Sequence, residues 1–175
     1  PLIGHIALIA DRGQIELVKA IAAMPQKPHI LFVGRGEKEN QLKELITQLN
    51  LNEQVHFSGY LDQVRLTEAY HTIDVAFCAQ AGNDASVRAA LEAMSSALPV
   101  MAVQTESLQE LIDNSCGYPI IDRSPDTIRQ TIEMWLHDSA QAVSQKGQNA
   151  RKVILEQHNF HNEASKTCQL YYDCL

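Results

Sequence analysis

Short apolar runs separated by amphipathic stretches recur along the whole chain, and this alternation limits the fold more than any other feature. Leu2–Ile9, His29–Val33, Val55–Phe57, Val75–Cys78, Val100–Val103 and Tyr118–Ile121 read as strands. Between them, Leu42, Leu45, Ile46 and Leu49, and again Val87, Ala90, Leu91 and Met94, fall at the i, i+3, i+4, i+7 spacing of a helix with one buried face. Continuously apolar strands alternating with helices build βαβ units, a parallel sheet covered by helices on both sides. The sequence therefore predicts an α/β, Rossmann-like three-layer domain with a six-stranded parallel sheet. From Ser124 onward the residues are helical in character and predict a tail packed alongside.

Punctuation supports this division. Pro25 and Pro28 end the first helix, and a third helix is expected from about Val64 to His71. Ser107-Leu108-Gln109-Glu110 matches the S-x-x-E capping box and predicts a short helix starting at Ser107, while Pro125 suits a first-turn position.

At 175 residues the chain is about one domain, long enough to bury a core without disulfides or metals. A net charge of −7 argues against a nucleic-acid groove as the main partner, but leaves room for a local phosphate site. The four cysteines show no CxxC pair, which favours a reduced, cytoplasmic environment. No apolar run reaches the ~20 residues of a spanning helix, no signal peptide is recognisable, and Pro1 reads as a start inside something longer.

Several chemistries can be weighed on single residues. Gly34-Arg35-Gly36 follows an apolar strand, but Glu39 stands where a dinucleotide fingerprint needs a small residue. His158 and His161 lack a third ligand nearby, so no metal site is expected, and no G-x-S-x-G elbow supports a hydrolase. Arg12-Gly13 precedes a helix N-terminus, a place that suits a phosphate as well as it suits a solvated arginine. Glu92 lies inside a largely buried helix, where a carboxylate needs either a partner on the helix surface or a ligand hydroxyl. Asp84 precedes that helix and would serve as an N-cap or as an acid facing the crevice at the carboxyl ends of the strands.

Asp84 and Glu92 together carry a more specific pattern. The run from Asp84 to Val100, D-A-S-V-R-A-A-L-E-A-M-S-S-A-L-P-V, resembles the donor-site signature of family-4 glycosyltransferases of the GT-B fold: an acid, seven residues, then Glu-Ala-Met and a turn into Pro-Val. Ile3-Gly4-His5-Ile6-Ala7 with Arg12-Gly13, Val33-Gly34-Arg35-Gly36, Val55 to Tyr60, Ile73-Asp74-Val75 and Cys116-Gly117 are similar to further landmarks of that family, in the same order.

The resemblance implies that residues 1–175 are the C-terminal, donor-binding half of such an enzyme, with the N-terminal acceptor half lying outside this sequence. It implies transfer of a sugar from a UDP- or GDP-linked donor to an acceptor glycan, lipid-linked sugar or other hydroxyl, with retention and without a metal or other cofactor. Peripheral membrane association of the full-length protein is compatible with it. Asp84 would approach the donor sugar and Arg12 the diphosphate, as the catalytic residues. Gly13, Gly59, Tyr60, Asn83, Ser86 and Glu92 would bind the donor, Glu92 through the ribose hydroxyls and Gly59-Tyr60 against the base.

Four positions depart from the family pattern. Leu8 stands where a second basic residue is usual, Ala85 and Ala97 replace glycines, and Glu106 places an acid after strand five. These departures keep open a degenerate binding or scaffold domain of the same fold. A nucleotide-sugar epimerase of similar architecture is the third reading.

Overall fold

The computed structural model describes residues 1–79 and 84–173, with the side chains of residues 84–86, 106, 107, 160, 161, 163 and 166 left aside. Six strands form one sheet in the order β3-β2-β1-β4-β5-β6. They are β1 (Leu2–Ile6), β2 (His29–Val33), β3 (Val55–Gly59), β4 (Val75–Cys78), β5 (Val100–Val103) and β6 (Gly117–Ile120). Every pairing is parallel, with Ile3 opposite both Ile30 and Val75. The helices are α1 (Gln14–Ala22), α2 (Glu39–Gln48), α3 (Gln63–Thr72), α4 (Asp84–Ser95), α5 (Glu106–Gln109), α6 (Pro125–His137), α7 (Ala140–Gln157) and α8 (Phe160–Asp173).

The period-2 alternation of strand side chains divides the core into two. Val75 and Phe77 face one cluster with Leu17, Ile21, Leu42, Ile128 and Trp135, so α1, α2 and α6 cover that side. Ala76 and Cys78 face the other, with Tyr70, Ala90, Met94, Leu108 and Ala150 from α3, α4, α5 and α7. Phe32 and Phe77 are fully buried. Each contributes on the order of 1.5–3 kcal/mol through burial.

Helix ends follow local chemistry. Asp62 caps α3 by accepting from the Arg65 N–H at 2.9 Å, and Ser124 caps α6 with Pro125 in its first turn. At the far end of α4, the Leu98 N–H bonds the Ala93 carbonyl (3.1 Å) and the Ala97 N–H the Met94 carbonyl (3.0 Å). That is a Schellman closure, and it places Ala97 at φ 57°, a conformation usually left to glycine.

Two sequence expectations are corrected. The first strand stops at Ile6 rather than Ile9, because Leu8 turns outward to 53% exposure while the Ala7 and Ile9 N–H groups still reach the Val33 and Arg35 carbonyls. The capping box does not form. α5 starts at Glu106 with Thr105 at the N-cap, which puts Ser107 inside the helix and Glu110 beyond its end. Among the described residues, no helix is long and apolar enough to cross a membrane.

Candidate functional site

The order β3-β2-β1-β4-β5-β6 changes direction between β1 and β4: α1 leads from β1 to one side and α4 from β4 to the other. Open α/β sheets bind ligands in the crevice outside the strand ends at such a point. Here it is framed by the β1–α1 loop, the turn after β2 and the turn after β3.

The β1–α1 loop is built rigidly. The buried Gln14 side chain donates to the Leu8 carbonyl at 2.9 Å and accepts from the Arg12 N–H at 3.0 Å. Gly13 sits at the α1 N-cap with φ 88°, and a Cβ there would collide with the Ala79 methyl. The strain of a left-handed residue and the lack of space both demand glycine. Arg12 thus stands at the head of α1, half-buried and without an ion pair among the described residues. Next to it, Arg123 from the β6–α6 turn pairs with Asp11 and, at 3.0 Å, with Glu16. Those bonds hold the Asp11 carboxyl below its ordinary pKa.

Beneath this loop, the buried His5 on β1 donates from Nδ1 to the Phe77 carbonyl at 2.8 Å, with its ring edge-on to Phe32 and Phe77. Its Nε2 has no partner among the described residues. Burial, reinforced by the positive Arg12, lowers its pKa to about 4 against the opposing pull of the Phe77 bond.

Two cavities open beside the crevice and share a wall of Tyr60, Leu61 and Leu66. One, of about 490 Å³, is largely apolar and is lined by Ile6, Leu8 and Val33, with Arg35 at its edge. A flat heteroaromatic ring fits such walls. The other, of about 530 Å³, holds Glu92 with Tyr70, Arg88 and Ser95. The Tyr70 hydroxyl donates to Glu92 Oε2 at 3.0 Å, and Arg88 Nε to Oε1 at 3.0 Å. A third of the Glu92 side chain remains exposed to the cavity and solvent. An apolar slot adjoining an exposed carboxylate can take a ring on one side and sugar hydroxyls on the other.

Of the residues singled out in the sequence, Tyr60 and Glu92 meet along this groove, and Gly59 ends β3 with φ 70° just before it. Arg12 and Gly13 stand at the neighbouring head of α1, off the walls of both cavities. Asn83 lies outside the described residues, as do the side chains of Asp84 and Ser86; the backbone of Asp84 opens α4. Sequence reasoning missed Tyr70, Arg123 and Gln14. Tyr70 was within reach, because Leu66, Ala69, Tyr70 and Ile73 share one face and a buried tyrosine hydroxyl needs a partner. Arg123 offered no comparable signal, since its partners lie more than a hundred residues away. Among the described residues, no group of three or more His, Cys, Asp and Glu is placed to hold a metal ion.

Comparison with known proteins adds a second line. The family model described as glycosyl transferases group 1 matches residues 7–153. Over 170 residues the chain is 26% identical to an uncharacterised glycosyltransferase of Methanocaldococcus jannaschii, covering 94% of this chain and 42% of that protein. The structure of Anabaena HepE with UDP and glucose superposes with a TM-score of 0.86 at 19% identity, over 98% of this chain and 48% of that one. The C-terminal domain of the group 1 glycosyl transferase LpcC from Francisella tularensis superposes with a TM-score of 0.78 at 23% identity, over 91% and 86%. The chain thus spans less than half the length of the first two.

Proposed function

The chain belongs to the glycosyl transferases group 1 family, and from that premise we propose that it forms the donor-binding half of a nucleotide-sugar-dependent glycosyltransferase. The observation that carries the reading is the apolar slot beside Glu92, with Tyr60, Leu61 and Leu66 common to both cavities. The base enters the slot and the ribose hydroxyls donate to Glu92. The diphosphate then extends toward the head of α1, where free N–H groups, the helix dipole and Arg12 take its charge.

Sugar transfer leaves negative charge on the departing diphosphate, so a preorganised cation and helix terminus lower the barrier where charge develops. Arg12 has that role here without a metal. Asp84 is the acid assigned to the donor sugar, and Asn83 and Ser86 are assigned to donor binding. The outcome is retention, and the acceptor, a glycan or lipid-linked sugar, is held by the remainder of the protein. UDP-glucose is a sensible first donor, because UDP and glucose occupy the HepE structure.

One observation favours a second reading, a degenerate binding domain. Leu8, 53% exposed at the crevice, offers the diphosphate no charge where the family pattern has a base.

Calorimetric titration of the chain with UDP, GDP and ADP, beside Glu92→Ala, separates the two. Saturable binding of one nucleotide, weakened at least tenfold in the variant by loss of charge-assisted bonds worth about 1.5–3 kcal/mol, supports the donor half. Absence of binding by the wild type favours the degenerate domain.

A further inference from the structure

We infer that Tyr70 is a positioning residue that holds Glu92 in the orientation needed to accept the ribose hydroxyls. The inference rests on the donor-binding reading and assigns the part of the site that gives ribose selectivity. Glu92 is gripped from two unlike sides. Its Oε2 accepts from the Tyr70 hydroxyl at 3.0 Å, and Tyr70 is 4% exposed, wedged between α3 and α4. Its Oε1 accepts from Arg88 Nε at the same distance, yet the Arg88 side chain is 82% exposed. An exposed i,i+4 ion pair is easily exchanged. The buried hydroxyl has no such freedom: the other acceptor near it is the Ala89 carbonyl, at 3.5 Å.

The carboxylate is therefore anchored through Oε2 and presented through Oε1. A sugar hydroxyl arriving in the cavity can take the Arg88 position while the Tyr70 bond persists, since each carboxylate oxygen accepts more than one hydrogen bond. Without the anchor, Glu92 would rotate freely toward solvent, and each binding event would have to order it again. The effect belongs to the hydroxyl of Tyr70, because its ring packs with Ala90, Met94 and Leu98 whether or not the oxygen is present.

The test pairs two ligand sets with three variants. Wild type, Tyr70→Phe, Tyr70→Leu and Glu92→Gln are titrated with UDP, GDP and ADP and with their 2′,3′-dideoxy counterparts, after each melt confirms a folded chain. For the nucleotide that binds, Tyr70→Phe should weaken the ribose form roughly tenfold, the loss of one bond to a charged group. The dideoxy form should change less than about twofold in both Tyr70 variants, since it makes no bond to Glu92. A purely structural role would weaken both forms alike, and that result overturns the inference. Equal ribose affinity in Tyr70→Phe and wild type, with Glu92→Gln weakened, also overturns it while leaving the donor reading in place. No binding of any nucleotide by the wild type, or no preference for ribose, overturns both.

Discussion

The carbonyl of Ala97 fills the space that a side chain on Gly147 would need. Gly147 lies within α7, and its bare backbone lets that helix rest on the turn between α4 and β5, with Pro99 Cδ 3.4 Å from where a Cβ would stand. Nearby, Arg151 donates to the Ser95 carbonyl at 2.9 Å and Asn149 to the Ser115 carbonyl at 2.8 Å, so α7 is pinned along this seam. Gly147→Ala should force the seam apart at an overpacking cost of about 1–3 kcal/mol, from which better helix propensity recovers up to about 1. The melting temperature should fall by roughly 2–8 °C.

Ala97 itself should gain from the opposite change. Its φ of 57° costs an alanine roughly 1–2 kcal/mol, while glycine adds up to about 1 kcal/mol of unfolded-chain freedom. Ala97→Gly should therefore stabilise the chain by about 0.5–1 kcal/mol, read as a higher urea midpoint with an unchanged slope.

His5 makes stability depend on acid. Its folded pKa of about 4 lies below the ordinary 6.5, so its contribution is complete above pH 6.5 and is lost as pH falls from 6.5 toward 4. The unfolded chain binds the proton first across that window, giving a loss on the order of 3 kcal/mol. Urea midpoints measured from pH 7.5 to 4 should fall, and His5→Gln should flatten the profile. An equally steep acid limb in that variant would assign it to other groups.

Arg123 bears on the proposed diphosphate site through charge. It neutralises Asp11 and Glu16 beside Arg12. Arg123→Met would leave two acids uncompensated at the head of α1, where like charge repels a diphosphate. Affinity for the nucleoside diphosphate should drop about three- to tenfold at low salt, and the gap to wild type should narrow at high salt. A gap indifferent to salt would mean that Arg123 acts through loop geometry instead.

The sequence revealed the fold through pattern alone, because strand-type runs such as His29–Val33 and helix faces such as Leu42, Leu45 and Ile46 are local signals. It singled out Glu92 by an argument about burial, since a carboxylate on a mostly buried helix must find donors, and Tyr70 and Arg88 supply them, whereas a role toward a ribose rested on the family resemblance. It failed where geometry depends on distant residues. Ser107-x-x-Glu110 has the letters of a cap, yet Thr105 at φ −119° is the N-cap and α5 starts at Glu106, one residue earlier. The grip of Arg123 on Asp11 and Glu16 exists only because β6 and β1 run parallel and end on the same rim of the sheet, at the strands' carboxyl ends.

The central place of β1 also has a consequence in time. Its partner β2 follows within about 27 residues, but Val75, opposite Ile3 on the other flank, comes 72 residues later. At a synthesis rate of about 5–20 residues per second, one flank of the middle strand waits roughly 4 to 14 s for its neighbour on the ribosome. In that interval the hydrogen-bonding edge of β1 is open to any other extended chain. The strand at the heart of the finished crevice is thus the most vulnerable one in the nascent chain.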